Sequence, residues 1–211
     1  MEKDPNILKR KITIMELSVI GSVAIILLNI FRWSLVDVLT PFLEPFVEII
    51  VGGFFLILLI RSIVTAISRF KKEGKKALVP LIINAATLLI VFFVPFTRLT
   101  IALDFRMNLS AREQVVGMIQ NKNLVPNVSY NKELLALPKQ YQNLSKGGGE
   151  VLVEPTEGSS NIFFFTFRGV TDNFSGFVYR SDDKQPSNGD FGCDYVNLIK
   201  MREYWYWMSC S

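Results

Sequence analysis

The run IMELSVIGSVAIILLNIF at 14–31 is followed by FLEPFVEIIVGGFFLILLI at 42–60 and ALVPLIINAATLLIVFFVPF at 77–96, and no comparable run occurs after them. Each has about the 17 to 25 mostly apolar residues that cross about 30 Å of hydrocarbon as a helix, with every backbone N–H and C=O bonded inside its own segment. A helix of a water-soluble bundle would instead carry a polar stripe at a period of about 3.6 residues. The only charged or amide side chains within the runs are Glu16, Asn29, Glu44, Glu48 and Asn84. The chain therefore reads as a multi-pass α-helical membrane domain over 1–99, with three transmembrane helices, followed by a small α+β domain over 100–211.

Lysine and arginine set the orientation. Lys3, Lys9, Arg10 and Lys11 precede the first run, and Arg61, Arg69, Lys71, Lys72, Lys75 and Lys76 separate the second from the third. Only Arg32, Arg98, Arg106 and Arg112 flank the opposite side. Short basic flanks stay in the cytoplasm, so the N-terminus and the basic loop are expected inside and the 100–211 domain outside the plasma membrane. The first run is longer than a signal-peptide core and ends at Asn29-Ile30-Phe31-Arg32-Trp33 without a small-x-small site, so it reads as an uncleaved anchor. Thr13 and Glu16 form a capping-box pattern at its start.

Residues 1–99 hold 12 Lys and Arg against 7 Asp and Glu, and residues 100–211 hold 11 against 12. The basic excess thus sits beside the apolar runs, where it answers anionic lipid rather than nucleic acid. Trp33 to Pro41 reads as an interfacial turn, and Glu44 and Glu48, four apart, read as carboxylates at headgroup level. Ser18, Ser22, Gly52 and Gly53 are small enough for close helix packing within one chain or between copies, and Asn84 is suited to an interhelical hydrogen bond. Neither an internal repeat nor a matched pair of broken helices marks a transporter.

In the second half, Ser110-Ala111-Arg112-Glu113 is a capping-box pattern that predicts a helix ending before Asn121, and 131–144 reads as a second short helix interrupted by Pro138. Gly147-Gly148-Gly149 reads as a flexible joint, because no Lys-Ser/Thr follows as a phosphate loop would need. Beyond it the period becomes two. Glu150–Glu154, Asn161–Arg168 and Phe174–Arg180 read as strands, with Phe163, Phe165 and Phe167 on one core face and the last two strands forming a hairpin across Gly169–Asn173. Tyr204-Trp205-Tyr206-Trp207-Met208 reads as a terminal strand with its tryptophans on one side and its tyrosines on the other.

The chain has no histidine, which removes His-based metal sites and Ser-His or Cys-His nucleophilic pairs. Cys193 and Cys210 are the only cysteines, and in an oxidising compartment they are expected to pair, stabilising the fold by about 3 kcal/mol. The acidic loop at 181–190 lacks the D-x-[DN]-x-[DN]-G spacing of a calcium loop, and a carboxylate pair for hydrolysis has no readable separation. Asn108, Asn127, Asn143 and Asn173 head glycosylation acceptor patterns, which matter only in a eukaryotic secretory route. No catalytic, cofactor-binding or metal-ligating residue is assigned. The candidate binding surface is Tyr204 and Tyr206 with Asp182, Asp183 and Asp190. The expected function is a membrane-anchored, non-enzymatic protein whose exported domain binds a protein, peptide or envelope component as a sensor, immunity factor or complex subunit. A self-assembling membrane effector or pore-type subunit and an envelope-facing carboxylate enzyme are the alternatives, with membrane lipid and a protein partner or further copies as expected partners.

Overall fold

The computed structural model describes residues 12–169 and 173–211, and seven side chains between Trp33 and Pro41 lie outside the described set. Lys3, Lys9, Arg10 and Lys11, named above, also lie outside it. The fold divides into two units, Met1–Thr97 and Arg98–Ser211.

In the first unit, α1 runs from Ile14 to Glu73, a 3-10 turn covers Gly74–Leu78, and α2 spans Val79–Phe93. The capping box closes as expected: the Thr13 N–H donates to Glu16 at 2.9 Å and the Glu16 N–H returns to the Thr13 hydroxyl at 3.2 Å. The expectation of three separate helices needs correction, because the first two runs belong to one 60-residue helical element and Trp33–Pro41 is helical rather than a turn. That element is not straight. Asn84 Nδ2 donates to Ser18 Oγ at 3.1 Å and to the Leu58 carbonyl at 3.3 Å, whereas forty residues of straight helix would hold Ser18 and Leu58 about 60 Å apart. Arg32 Nε also lies 2.7 Å from Glu48 and 3.1 Å from Glu44. The path therefore doubles back between Arg32 and Glu44, next to Pro41 and Pro45, whose missing N–H groups weaken the helical ladder there. Two stretches, Ile14–Arg32 and Phe42–Phe93, are long and apolar enough to cross a membrane, the second joining the rest of α1 to α2 through the 3-10 turn.

The third run also ends earlier than expected. Val94 is extended, with φ −83° and ψ 119°, because the residue before a proline avoids the helical region and Pro95 cannot donate. Helix α3 starts again at Phe96 and continues to Gln120, so Ser110 lies in mid-helix and caps nothing.

The second unit is a six-stranded, wholly antiparallel sheet of order β1-β2-β3-β4-β6-β5. The strands are β1 Leu134–Ala136, β2 Glu150–Thr156, β3 Ser159–Arg168, β4 Phe174–Tyr179, β5 Tyr195–Arg202 and β6 Trp205–Cys210. The β3–β4 hairpin forms as expected. The short helix expected over 131–144 is instead β1 and a 3-10 turn at Lys139–Leu144, since Pro138 separates two pieces each too short for an α-helix. The three glycines do not make a loose joint. They sit at φ +73°, +116° and +72° in a turn leading into β2, with Arg168 donating to the Gly147 carbonyl.

Both sheet faces are covered. On one, Phe105, Val115, Val116 and Ile119 of α3 pack with Val151, Ile162, Phe164, Phe177, Trp205 and Trp207. On the other, Phe163, Phe165, Val178, Tyr206 and Met208 are covered by Phe191 and Cys193 of the loop that precedes β5. Thus Phe163 and Phe165 share a face as expected, but Phe167 leaves it. Thr166 has no register partner on β4, and one extra residue reverses the inside–outside alternation beyond it. The terminal strand expected to begin at Tyr204 begins at Trp205, because Glu203 and Tyr204 form the two-residue turn that joins it to β5.

Candidate functional site: the β5–β6 hairpin tip

Arg202 ends β5, Trp205 begins β6, and Tyr204 between them has φ +64°. A left-handed backbone costs a side-chain-bearing residue about 1 kcal/mol, and glycine is the residue that occupies it freely. The tyrosine is held there by its neighbours. Its N–H donates to Asp183 Oδ1 at 2.6 Å, and its carbonyl accepts the Arg180 N–H at 2.9 Å. Asp183 is itself left-handed at φ +53°, accepts Lys200 Nζ at 3.1 Å on both oxygens, and offers its carbonyl to the Tyr206 hydroxyl at 2.7 Å. The Tyr204 N–H, followed by Lys200, holds the Asp183 carboxyl below its usual range, and the same pairing pushes Lys200 up.

These contacts sort the candidate residues. Tyr204 is 39% exposed, with its ring centroid 6.3 Å from that of Tyr179, whereas Tyr206 is 4% exposed and belongs to the sheet core. Tyr206 therefore supports the tip from below and does not present a contact face. Its position one residue into a strand buried on both sides decides this, where the two-residue period alone left its side open. Asp183 organises the turn through its backbone and carboxylate rather than by facing outward.

The carboxylates of the acidic loop have cations of the same unit beside them. Arg180 donates from Nε to Asp182 Oδ1 at 3.2 Å and from Nη1 to Asp190, which also accepts the Ser187 N–H at 3.0 Å. Asp182 accepts the Lys184 N–H at 3.1 Å, and its carboxyl is held low chiefly by Arg180. Asp182 and Asp190 thus face Arg180 at the head of the loop, and Asp183 faces Lys200 of β5. Among the described residues no group of three or more His, Cys, Asp or Glu is placed to hold a metal ion.

Two groups that sequence patterning passed over shape this unit. Glu154 on β2 accepts the N–H of Phe191, another left-handed residue at φ +57°, and burial, with Asp190 and Glu133 nearby, pushes its carboxyl up. Arg112 on α3 is 1% exposed, lies 4.2 Å over the Phe177 ring and pairs with Asp104 at 2.7 Å, while its Nε has no hydrogen-bond partner among the described residues. Burial pushes the Arg112 guanidinium down, opposed by Asp104. Both pairings join residues distant in sequence or hidden in a helix interior, so no local pattern announces them.

Cys193, just before β5, and Cys210, at the end of β6, lie at disulfide distance with Cα atoms 5.3 Å apart, clipping the hairpin at the end away from Tyr204. In the first unit, Ser18, Ser22, Asn84 and Thr87 are buried together: Thr87 Oγ1 bonds Ser22 Oγ at 2.8 Å, beside the Asn84 bonds already described. Gly52 and Gly53 are not part of this seam, since a Cβ at either would meet no atom within 4 Å. Comparison with protein-family models, curated proteins and solved structures finds no match for the chain.

Proposed function

We propose that this is a multi-pass membrane protein in which the 14–32, 42–60 and 77–96 segments cross the bilayer, the N-terminus lies in the cytoplasm, and the domain of residues 98–211 stands outside the cell as a non-enzymatic binding module. The two long apolar stretches and the lysine and arginine asymmetry support the membrane placement. The observation that carries the binding assignment is Tyr204: an exposed aromatic residue held in a costly left-handed turn by Asp183 at a position where glycine would be free. A fold that keeps this cost while displaying a large rigid ring fits recognition of a protein, peptide or envelope component through the hairpin tip. Photo-crosslinking from a reactive amino acid placed at 204 in intact cells tests it, with the exposed Lys132 position as the comparison. Capture of a defined partner from 204 and not from 132 is expected; equal labelling at both positions refutes the assignment.

A second reading, a self-assembling membrane effector, is favoured by one observation: Gly52 and Gly53 have open space around them while Phe46, Ile49 and Ile50 beside them are exposed. Mass measurement of the detergent-solubilised chain separates the two, a monomer removing the assembly and a closed ring supporting it.

A further inference from the structure

We propose that the helical reversal at residues 69–78 is a binding site for the phosphate headgroups of anionic phospholipid, an assignment that rests on the membrane placement above. Lys71 and Lys72 lie in the last turn of α1, and Lys75 and Lys76 in the 3-10 turn that follows. All four are exposed, and none has a carboxylate partner among the described residues. Among the described residues the acid within this stretch, Glu73, is taken by Arg69 at 3.3 Å. The turn that displays the lysines is defined: the Gly74 N–H donates to the Phe70 carbonyl, Gly74 has φ +60°, and Ala77 is buried against the helices. Ile67 and Phe70 are exposed just before the lysines, so apolar side chains suited to acyl chains lead directly into four positive charges that no described carboxylate matches. The phosphodiester of a zwitterionic headgroup arrives with its own ammonium cation and brings no net charge to the lysines, while that of an anionic headgroup arrives without one and brings a net negative charge.

The full chain in neutral detergent, titrated in parallel with phosphatidylglycerol and phosphatidylcholine of identical acyl chains and read by native mass spectrometry, tests the site. With each lysine contributing about fivefold near an anionic surface, the wild type is expected to retain phosphatidylglycerol at least about tenfold better. K71Q/K72Q/K75Q/K76Q is expected to bring the ratio to about one, and K132Q to leave it unchanged. Equal retention of both lipids by the wild type, or preference kept by the fourfold variant, overturns the proposal. Should that variant misfold by near-ultraviolet circular dichroism, salt supplies the test on the wild type. Raising it from about 0.1 M to about 1 M shortens the screening length from about 10 Å to about 3 Å and is expected to abolish the preference, and a salt-insensitive preference overturns the site. Displacement of the lipid by millimolar glycerol phosphate would reassign it to a soluble phosphate and overturn the lipid assignment. Alkaline carbonate extraction keeps the premises apart: release of the chain from membranes sinks the membrane placement, whereas a chain that stays in the pellet but shows no lipid preference sinks the headgroup site alone.

Discussion

Gly176→Ala is the sharpest single test of how the sheet is packed. Gly176 lies in β4 between Phe165 on β3 and Met208 on β6. A Cβ built there overlaps the Phe164 carbonyl oxygen and the Phe163 ring. The carbonyl cannot retreat without opening the β3–β4 ladder. The ring cannot turn aside either, because Phe163 is fully buried with Phe165, Phe174 and Phe191 at centroid distances of 5.0, 5.3 and 5.5 Å. Overpacking at a site that cannot yield costs at the upper end of the usual range, about 3 kcal/mol, which lowers the folded-to-unfolded ratio about a hundredfold and the melting temperature by roughly 10 °C for a unit of this size. Denaturant unfolding of the full chain in neutral detergent, followed by the fluorescence of Trp205 and Trp207 in a Trp33→Phe background, measures it. Gly117→Ala is the matched control: it sits inside α3 with no atom within 4 Å of the added methyl, and helix propensity alone predicts a gain of up to about 1 kcal/mol. If Gly176→Ala unfolds within about 0.5 kcal/mol of the wild type, the packing argued for Phe163 is wrong.

Tyr204→Gly relieves the left-handed turn, about 1 kcal/mol, at the cost of a Tyr179 ring contact of similar size, so stability is expected to stay within about 1 kcal/mol while partner capture from a reactive amino acid at the neighbouring exposed Glu203 is abolished; capture that persists would remove Tyr204 from the site. Glu154→Gln tests the raised carboxyl. A folded pKa above the unfolded one contributes stability that is whole below about pH 4.3 and is lost as pH rises through the folded value, so the wild type should lose stability across that window and the glutamine variant, which still accepts the Phe191 N–H, should not. Parallel stability profiles from pH 4 to 7 would show that Glu154 does not titrate as argued. Asp104→Asn leaves the Arg112 charge buried without its counter-ion and is expected to cost about 3 kcal/mol or more, while Arg112→Met should be near neutral; equal losses would mean that the ion pair itself stabilises the unit. Reductant should lower the unfolding midpoint of the wild type but leave Cys193→Ser/Cys210→Ser unmoved, and identical shifts in both would exclude the Cys193–Cys210 bond as the cause.

The parts of the fold that follow from local rules appear where the residues place them. Thr13 and Glu16 close the capping box, and the alternation in Asn161–Arg168 and Phe174–Arg180 yields a hairpin in the expected pairing. The misreadings share a cause, which is that a local signal is sufficient only when nothing distant competes. Ser110 and Glu113 form a valid start signal, but burial of Ile101 and Phe105 against the sheet extends α3 upstream past it. Pro41 and Pro45 mark a reversal in α1 correctly, yet they do so by weakening a helix that continues rather than by ending it. Thr166 inserts one residue and sends Phe167 off the face shared by Phe163 and Phe165, an event invisible to any count of period two.

The candidate site has the same division, with sharper consequences. That Tyr204 is aromatic and near the end of a strand can be read directly, but its left-handed turn exists only because Asp183, twenty-one residues earlier, receives its N–H. Asp183 in turn stays in place because Lys200 and Tyr206 reach it from the two strands of the same hairpin. The acidic loop is therefore the clamp that sets the hairpin tip, and its carboxylates are spent on that clamp. A loop whose charges were meant for an external cation would leave oxygens converging on open space. Here Arg180, Lys184, Lys200 and backbone N–H groups face them instead, so the chemistry left to this end of the domain is that of an exposed ring on a braced turn.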